Sequence, residues 1–182
     1  MSQSDEILVE RADGVVTVTI NRPHRKNAIP QALWTDLRDV FEDVAGRTSD
    51  RVMVLTGAGD NFCSGADIGP GRDSQAYPLD SMRDVGDAAL ALHRMPKPTI
   101  ARVDGVAVGA GMNLALGCDL VVASDRAQFC QIFVKRAMSV DFGGSWLLPR
   151  LVGLQKAKEM ILLGEMMTAP DLERLGLVNR VV

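Results

Sequence analysis

Apolar and polar positions alternate with two different periods along the chain. In "ILVERADGVVTVTINRP" two runs rich in Val, Ile and Thr flank Asp13-Gly14, a two-residue turn signal, and the pattern predicts a hairpin. The next apolar set, Leu33, Leu37, Val40, Phe41 and Val44, repeats with helical spacing and predicts a helix over 29–46, with Gly46 placed to cap its C-terminus. "RVMVLTGAG" is a short apolar run stopped by glycine, as in a buried parallel strand. "DNFCSGADIGPGRDSQAYPLDS" has no period and is rich in Gly, Pro, Asp and Ser, so it reads as a long functional or mobile connection. A helix is expected over Met82 to Arg94, ended by Met95-Pro96-Lys97-Pro98. Then come a strand in "TIARVDG", a short helix in "GAGMNLALGCD" and a strand in "LVVAS". Helices are expected over Ser145 to Val152, Leu154 to Leu163 and Ala169 to Leu175, and a last strand in "LVNRVV". Alternating strands and helices argue for an α/β fold with a largely parallel sheet. No internal repeat or linker interrupts it, so a single domain over 1–182 is expected.

Composition narrows the function classes. Of 182 residues 47% are hydrophobic but only 4% aromatic, so one core built from Val, Leu, Ile, Ala and Met is expected. A net charge of −3, with one small basic cluster at His24-Arg25-Lys26, gives no electrostatic footprint for nucleic acid. Cys63, Cys118 and Cys130 form no CxxC pair and no zinc spacing, so no metal site is expected and free, reduced thiols are. The polar, acidic start "MSQSDEILVE" lacks the apolar segment of a secretory leader. No apolar run approaches the roughly 18–20 residues of a membrane span. A cytoplasmic chain with no membrane partner is therefore expected.

Two glycine-containing segments share a design. In "FCSGAD" Gly65 lets the chain turn so that the Ala66 N–H can point outward, and in "DGVAVGAGMN" a helix opens near Gly109. The first N–H groups of a helix lack partners and carry partial positive charge, and small residues such as Ala66, Gly109, Ala110 and Gly111 admit a ligand carbonyl. Two such N–H groups aimed at one oxygen make an oxyanion hole. The same glycines would equally serve close helix–strand packing. Nucleotide readings are weak: a dinucleotide loop would need glycine where Leu114 stands, and no Gly-Lys-Ser/Thr occurs.

From "VVTVTINRPHRKNAI" through "MVLTGAGDNFCSGADI", "PKPTIARVDGVAVGAGMNLALGCDLVVAS" and "FGGSWLLPRLVGLQKAKEMILLG" to "LERLGLVNRVV", the chain resembles the enoyl-CoA hydratase/isomerase (crotonase) family. The resemblance implies a spiral of ββα units, acyl-CoA thioester substrates and commonly a trimer or dimer of trimers. Coenzyme A then enters as part of the substrate, and no separate cofactor is implied. Carried over, the thioester-oxygen donors fall on Ala66 and Ala110. The adenine and pantetheine side falls on Arg25, Lys26 and Ala28 and on the Ser64 to Ile68 segment, with Ala66 and Asp67. Arg25 and Lys26 also read as a solvated turn.

Hydratases of this family carry two glutamates that activate water. Here their places fall on Asn113 and Phe133, neither of which can accept a proton. One acid stands nearby: "MSVDFGGSWLLPRLVG" puts Asp141 just before Gly143-Gly144, a region where isomerases and a dehalogenase branch place an acid. A 3-enoyl to 2-enoyl shift needs a single base, and a carboxylate in an apolar pocket walled by Phe133, Phe142 and Trp146 could perform both proton transfers. The competing reading of Asp141 is an N-cap for the following helix, shared with Ser145. Asp67 reads as a turn stabiliser, His24 as a turn residue and His93 as a helix-face residue. The catalytic set expected is thus Asp141, Ala66, Ala110 and Asn113. Enoyl-CoA isomerisation leads, with hydration and non-catalytic acyl-CoA binding as alternatives. The resemblance also implies further helices beyond "GLVNRVV" that cover the acyl pocket. Without them apolar surface is expected to stay exposed. The loop from Gly69 to Ser81 is expected to contribute to acyl selectivity.

Overall fold

The computed structural model describes residues 5–69 and 78–182. Strands β1 (Ile7–Ala12) and β2 (Val15–Ile20) form the expected antiparallel hairpin, with Ile7 opposite Ile20. Asp13 and Gly14 turn it with positive φ of 52° and 83°, which matches the twist of the flanking strands. Val16, Val18 and Ile20 face the core and are fully buried, while the alternate positions are not.

Helix α1 (Gln31–Gly46) buries Leu33, Trp34, Leu37, Phe41 and Val44. Gly46 is not its left-handed cap: the next residue, Arg47, is extended. The Lys97 ammonium takes the carbonyls of Val44 and Arg47, which removes the need for a glycine cap. Strand β3 (Val52–Gly57) follows. Helix α2 (Pro78–His93) begins ahead of the expected Met82, at a proline suited to a first turn. The expected loop from Gly69 to Ser81 therefore divides: 78–81 are helical, and 70–77 lie outside the described residues.

The remaining elements are β4 (Thr99–Val103), β5 (Val106–Val108), α3 (Ala110–Leu116), β6 (Leu120–Ala123), β7 (Gln128–Cys130), α4 (Gly144–Leu163), β8 (Met167–Thr168), α5 (Ala169–Arg174) and β9 (Arg180–Val181). One sheet runs β1-β2-β3-β4-β6-β9, parallel except for the hairpin, and a second runs β5-β7-β8. This is the expected α/β class, with β5, β7 and β8 as additions that their two or three residues made too short to show a period. Helix α4 is the two expected helices joined at Gly153, whose φ of 76° and ψ of 158° break the helical path. The last strand is shorter than expected, because Leu177 and Val178 plug into the core instead of pairing.

The core lies between the larger sheet and the helices, from Val16 and Met53 to Leu114 and Leu172. Several aliphatic side chains of α4 and its C-terminal flank, including Leu154, Leu162, Leu163 and Met166, are exposed. Among the described residues no helix is long and apolar enough to cross a membrane.

Asn27 anchors the turn after β2. It is fully buried at a positive φ of 55°. Its Oδ1 accepts from the Arg22 N–H at 2.9 Å, and its Nδ2 donates to the carbonyls of Ala58 (2.9 Å) and Asn61 (2.6 Å). Asn27→Ala strands these buried groups and should cost about 2–4 kcal/mol. Urea unfolding should show a lowered midpoint at unchanged m-value.

Candidate active site

Short parallel backbone pairings build the site. The Ser64 N–H donates to the Lys26 carbonyl (3.0 Å), Ile29 to Gly65 (2.9 Å) and Asp67 to Ile29 (2.8 Å). On its other side the same segment pairs with β5: Cys63 donates to Val106 (3.0 Å) and Val108 to Cys63 (2.9 Å). The turn after β2, the 63–67 segment and β5 therefore continue the small sheet as adjacent rows.

Glycines permit the close approach. Gly65 has φ of 95°, and a Cβ on it would lie 2.7 Å from the Val108 carbonyl and 3.5 Å from the Ala110 nitrogen. Gly109 precedes α3 at φ 58°, ψ −125°. A Cβ on Gly111 would meet the Cys63 carbonyl at 2.2 Å. These glycines thus do serve close packing, and the packing brings Ala66 and Ala110 onto one cavity wall. The Ala66 N–H takes no acceptor among the described residues. Ala110 opens α3, where the helix has no acceptor for its N–H.

That cavity has a volume of about 510 Å³ and adjoins another of about 590 Å³. Both are walled by Ala66, Asp67, Met138 and Asp141, so they form one cleft. His24, Arg25, Lys26 and Arg136 make the first part basic, beside Ala28, Ser64, Ile68 and Phe133. The second has Ile29, Trp34, Met82 and Val85 along one wall and Arg22, Gln31 and Asp67 along another, and it shares His24 and Arg25 with the first.

Two carboxylates line the cleft among the described residues, and their environments differ. Asp67 accepts from Arg25 (3.0 Å), from Arg22 (3.0 Å) and from the Gly69 N–H (3.1 Å). The Arg25 hydrogen bond, reinforced by Arg22, holds its carboxyl down at about 2. It is the turn stabiliser expected. Asp141 has no cationic partner among the described residues. Its Oδ1 is buried without a hydrogen bond among the described residues, and burial pushes the carboxyl up to about 6.

Asp141 sits in a tight turn in which the Gly144 N–H donates to its carbonyl at 2.9 Å. Phe142 and Gly143 both have positive φ, 45° and 72°. The N-cap reading fails: the position before α4 is Gly143, and no side chain caps that helix. Phe142 and Trp146 are not cavity walls. Phe142 turns inward and packs on Trp34, ring centroids 5.4 Å apart. Gly144 and Leu148 are the buried positions of the first turns of α4, and Trp146 lies about 200° around the helix from each. It is exposed instead, between His93 (4.9 Å) and the Arg150 guanidinium (4.1 Å). His93 thus has an aromatic partner, and His24 lines the cleft.

Asn113 also departs from expectation. It is fully buried and absent from the cleft wall; its Nδ2 donates to the Asp141 carbonyl at 2.9 Å, and its Oδ1 accepts from Gln131 Nε2 at 2.7 Å. The three cysteines are free and buried, and burial pushes the Cys63 and Cys118 thiols up to about 12, which removes them as nucleophiles. Sequence reasoning missed Arg22, Gln131, Arg136 and Met138. Arg22 stands in the quoted "INRPHRKNAI", but its reach to Glu6, Ala28 and Asp67 depends on the folded turn.

A profile described as Enoyl-CoA hydratase/isomerase matches residues 10–182. The chain belongs to that family. Among curated members, the 1,2-epoxyphenylacetyl-CoA isomerase of Escherichia coli K12 is 36% identical over 184 aligned positions, covering 97% of this chain and 69% of that protein. A probable enoyl-CoA hydratase of Rhodobacter capsulatus is 37% identical, covering 97% and 68%. Among solved structures of the family, a putative enoyl-CoA hydratase from Streptomyces coelicolor A3(2) superposes with a TM-score of 0.94 at 37% identity, covering all of this chain and 68% of that one. An enoyl-CoA hydratase from Mycobacterium avium subsp. paratuberculosis K-10 gives 0.93 at 34%, covering 100% and 73%. The crotonase fold is thereby established, and the chain spans about two-thirds of the length of these members. The names divide between isomerase and hydratase, so the family leaves the reaction to be argued from the site.

The Asp67 ion pairs should make stability depend on pH. A carboxyl held at about 2 when folded contributes stability above its unfolded value near 4 and loses it as pH falls through about 2. Asp67→Asn should therefore cost up to about 2 kcal/mol at neutral pH. Urea unfolding from pH 7 down to 3 should show that difference narrowing below pH 4.

Proposed function

We propose that the chain is an acyl-CoA double-bond isomerase that moves a 3-enoyl thioester to the 2-enoyl form. The N–H groups of Ala66 and Ala110 receive the thioester oxygen, and Asp141 is the base. The observation that carries this reading is the contrast between the cleft's two carboxylates: Asp67 is neutralised by two arginines, whereas Asp141 is half-buried, with Oδ1 buried and without a hydrogen bond among the described residues, and is raised toward neutrality. A base with a pKa near the working pH is deprotonated enough to take a proton and acidic enough to return it.

The steps balance with one carboxylate. Asp141 removes the proton at C2, and the electron pair of that C–H bond delocalises into a dienolate whose oxygen carries the charge. The two backbone donors stabilise that charge, each worth about 3–4 kcal/mol in comparable sites. The protonated Asp141 then delivers the same proton to C4, leaving the double bond between C2 and C3. Arg25, Lys26 and Arg136, with His24, suit the phosphates of coenzyme A at the basic end, and the walls around Trp34, Val85 and Met138 suit the acyl chain. The E. coli relative is named as an isomerase of an epoxyphenylacetyl-CoA, so isomerisation of an acyl-CoA is represented among the relatives.

Hydration is the second reading, favoured by the names of most relatives. Against it, no glutamate lines the cleft among the described residues, and Asn113 is committed to Asp141 and Gln131.

Purified protein assayed with a 3-enoyl-CoA should form the 2-enoyl-CoA, and the rate should fall as pH drops below about 6, where Asp141 becomes protonated. Asp141→Asn should lower kcat by about 10²–10⁴-fold. Isomerisation that survives this change would refute the assignment, and robust water addition to crotonyl-CoA would favour hydration.

A further inference from the structure

Asn113 occupies the centre of a buried polar chain that ends on the backbone of Asp141. Gln131, only 1% exposed, donates from Nε2 to Asn113 Oδ1, and Asn113 Nδ2 donates to the Asp141 carbonyl. The chain crosses three separate pieces of the fold: the end of β7, helix α3 and the turn before α4. Its fit is tight. A Cβ on Gly144 would lie 2.3 Å from Asn113 Nδ2, so this glycine is what lets the amide reach the turn. The turn needs such a hold, because it carries Phe142 at a positive φ that an aromatic residue disfavours.

The Asp141 carbonyl, which can only accept, settles which way the Asn113 amide points, and that in turn sets the Gln131 amide, whose Oε1 is buried without a hydrogen bond among the described residues. The Asn113 amide nitrogen faces that carbonyl and donates to it, which leaves Oδ1 to accept from the Gln131 N–H. An inverted amide would set two acceptors against each other at 2.9 Å. We propose that Asn113 is a positioning residue: it clamps the Asp141 turn so that Oδ1 of the carboxyl stays buried, and Gln131 holds the other end of the amide. Asn113 touches no part of the cleft itself, so it acts through Asp141 and not on substrate or water.

The clamp predicts a change in how Asp141 titrates. Among the described residues, the charged and titratable groups that share the cleft with it are Arg22, His24, Arg25, Lys26, Arg136 and Asp67, with Arg22 and Arg25 already paired to Asp67. None of these is altered by Asn113→Ala. Release of the turn lets the carboxyl reach water, so its midpoint should move down toward the ordinary carboxylate range.

The direct test is an NMR titration of protein carrying ¹³C-labelled aspartate, with the Asp141 signal identified by its loss in Asp141→Asn. The midpoint should fall by about one pH unit or more in Asn113→Ala relative to the parent. An unchanged midpoint in folded Asn113→Ala overturns the proposal. If that variant does not fold, Gln131→Met keeps the bulk and frees Asn113 Oδ1; a smaller shift in the same direction supports the clamp, and no shift overturns it. The kinetic arm rests on the isomerase reading. There kcat should drop about tenfold or more with KM nearly unchanged, and the acid limb should move to lower pH. A loss of activity that only tracks loss of folded protein, with the acid limb in place, counts against the clamp. Should the parent fail to isomerise a 3-enoyl-CoA, the proposed function falls while the titration still decides the clamp.

Discussion

The pairing of Cys63 with Val106 and Val108 is the interaction on which the site depends. Two backbone hydrogen bonds, 3.0 and 2.9 Å long, lock the 63–67 segment beside β5. Everything downstream in the site is referenced to that lock. It sets Gly65 against Val108, presses Gly111 onto the Cys63 carbonyl and places Ala66 and Ala110 on one wall. A side chain at Gly65 or Gly111 would force these rows apart, since the atoms it would meet are backbone carbonyls held in the sheet.

On this frame the cleft brings basic and apolar groups together. Its basic residues come from the turn after β2 and from the 3-10 turn that follows β7, and α1 and α2 add Trp34, Met82 and Val85 on another wall. Two aspartates face this space, and neighbours determine their character. Asp67 falls within reach of two guanidinium groups and is kept ionised; Asp141 makes no ion pair among the described residues and has one buried oxygen without a hydrogen bond. Side chains of one chemical type thus acquire opposite properties, one as a structural anion and the other as a group that can exchange a proton near neutral pH.

The polar chain Gln131–Asn113–Asp141 shows how a strained turn can be held without a charge. Neutral amides bring no net charge to the carboxyl, so they can hold its backbone while leaving its acidity mainly to desolvation. A carboxylate in place of Asn113 would carry its own charge toward Asp141 and would turn an acceptor to the Asp141 carbonyl, which makes the amide a chemically apt choice at this position.

Much of this was legible in the sequence because it rests on local rules. The hairpin follows from Asp13-Gly14 between alternating runs, α1 from its apolar stripe, and the cleft wall from small residues at Gly65, Ala66, Gly109 and Ala110. Asp141 could be singled out because it was the acid left in a segment of known kind. What only the tertiary structure decided were relations between distant positions. Phe142 and Trp146 stand next to the cleft in sequence, yet a positive-φ turn and a 200° step around α4 send one into the core and the other to the surface. Asn113 looked like a group facing substrate, and the structure buries it with its amide on a carbonyl 28 residues away. Periodicity reports which face of an element is apolar. It carries no information on which two faces meet, and the proton chemistry of this site is set where they meet.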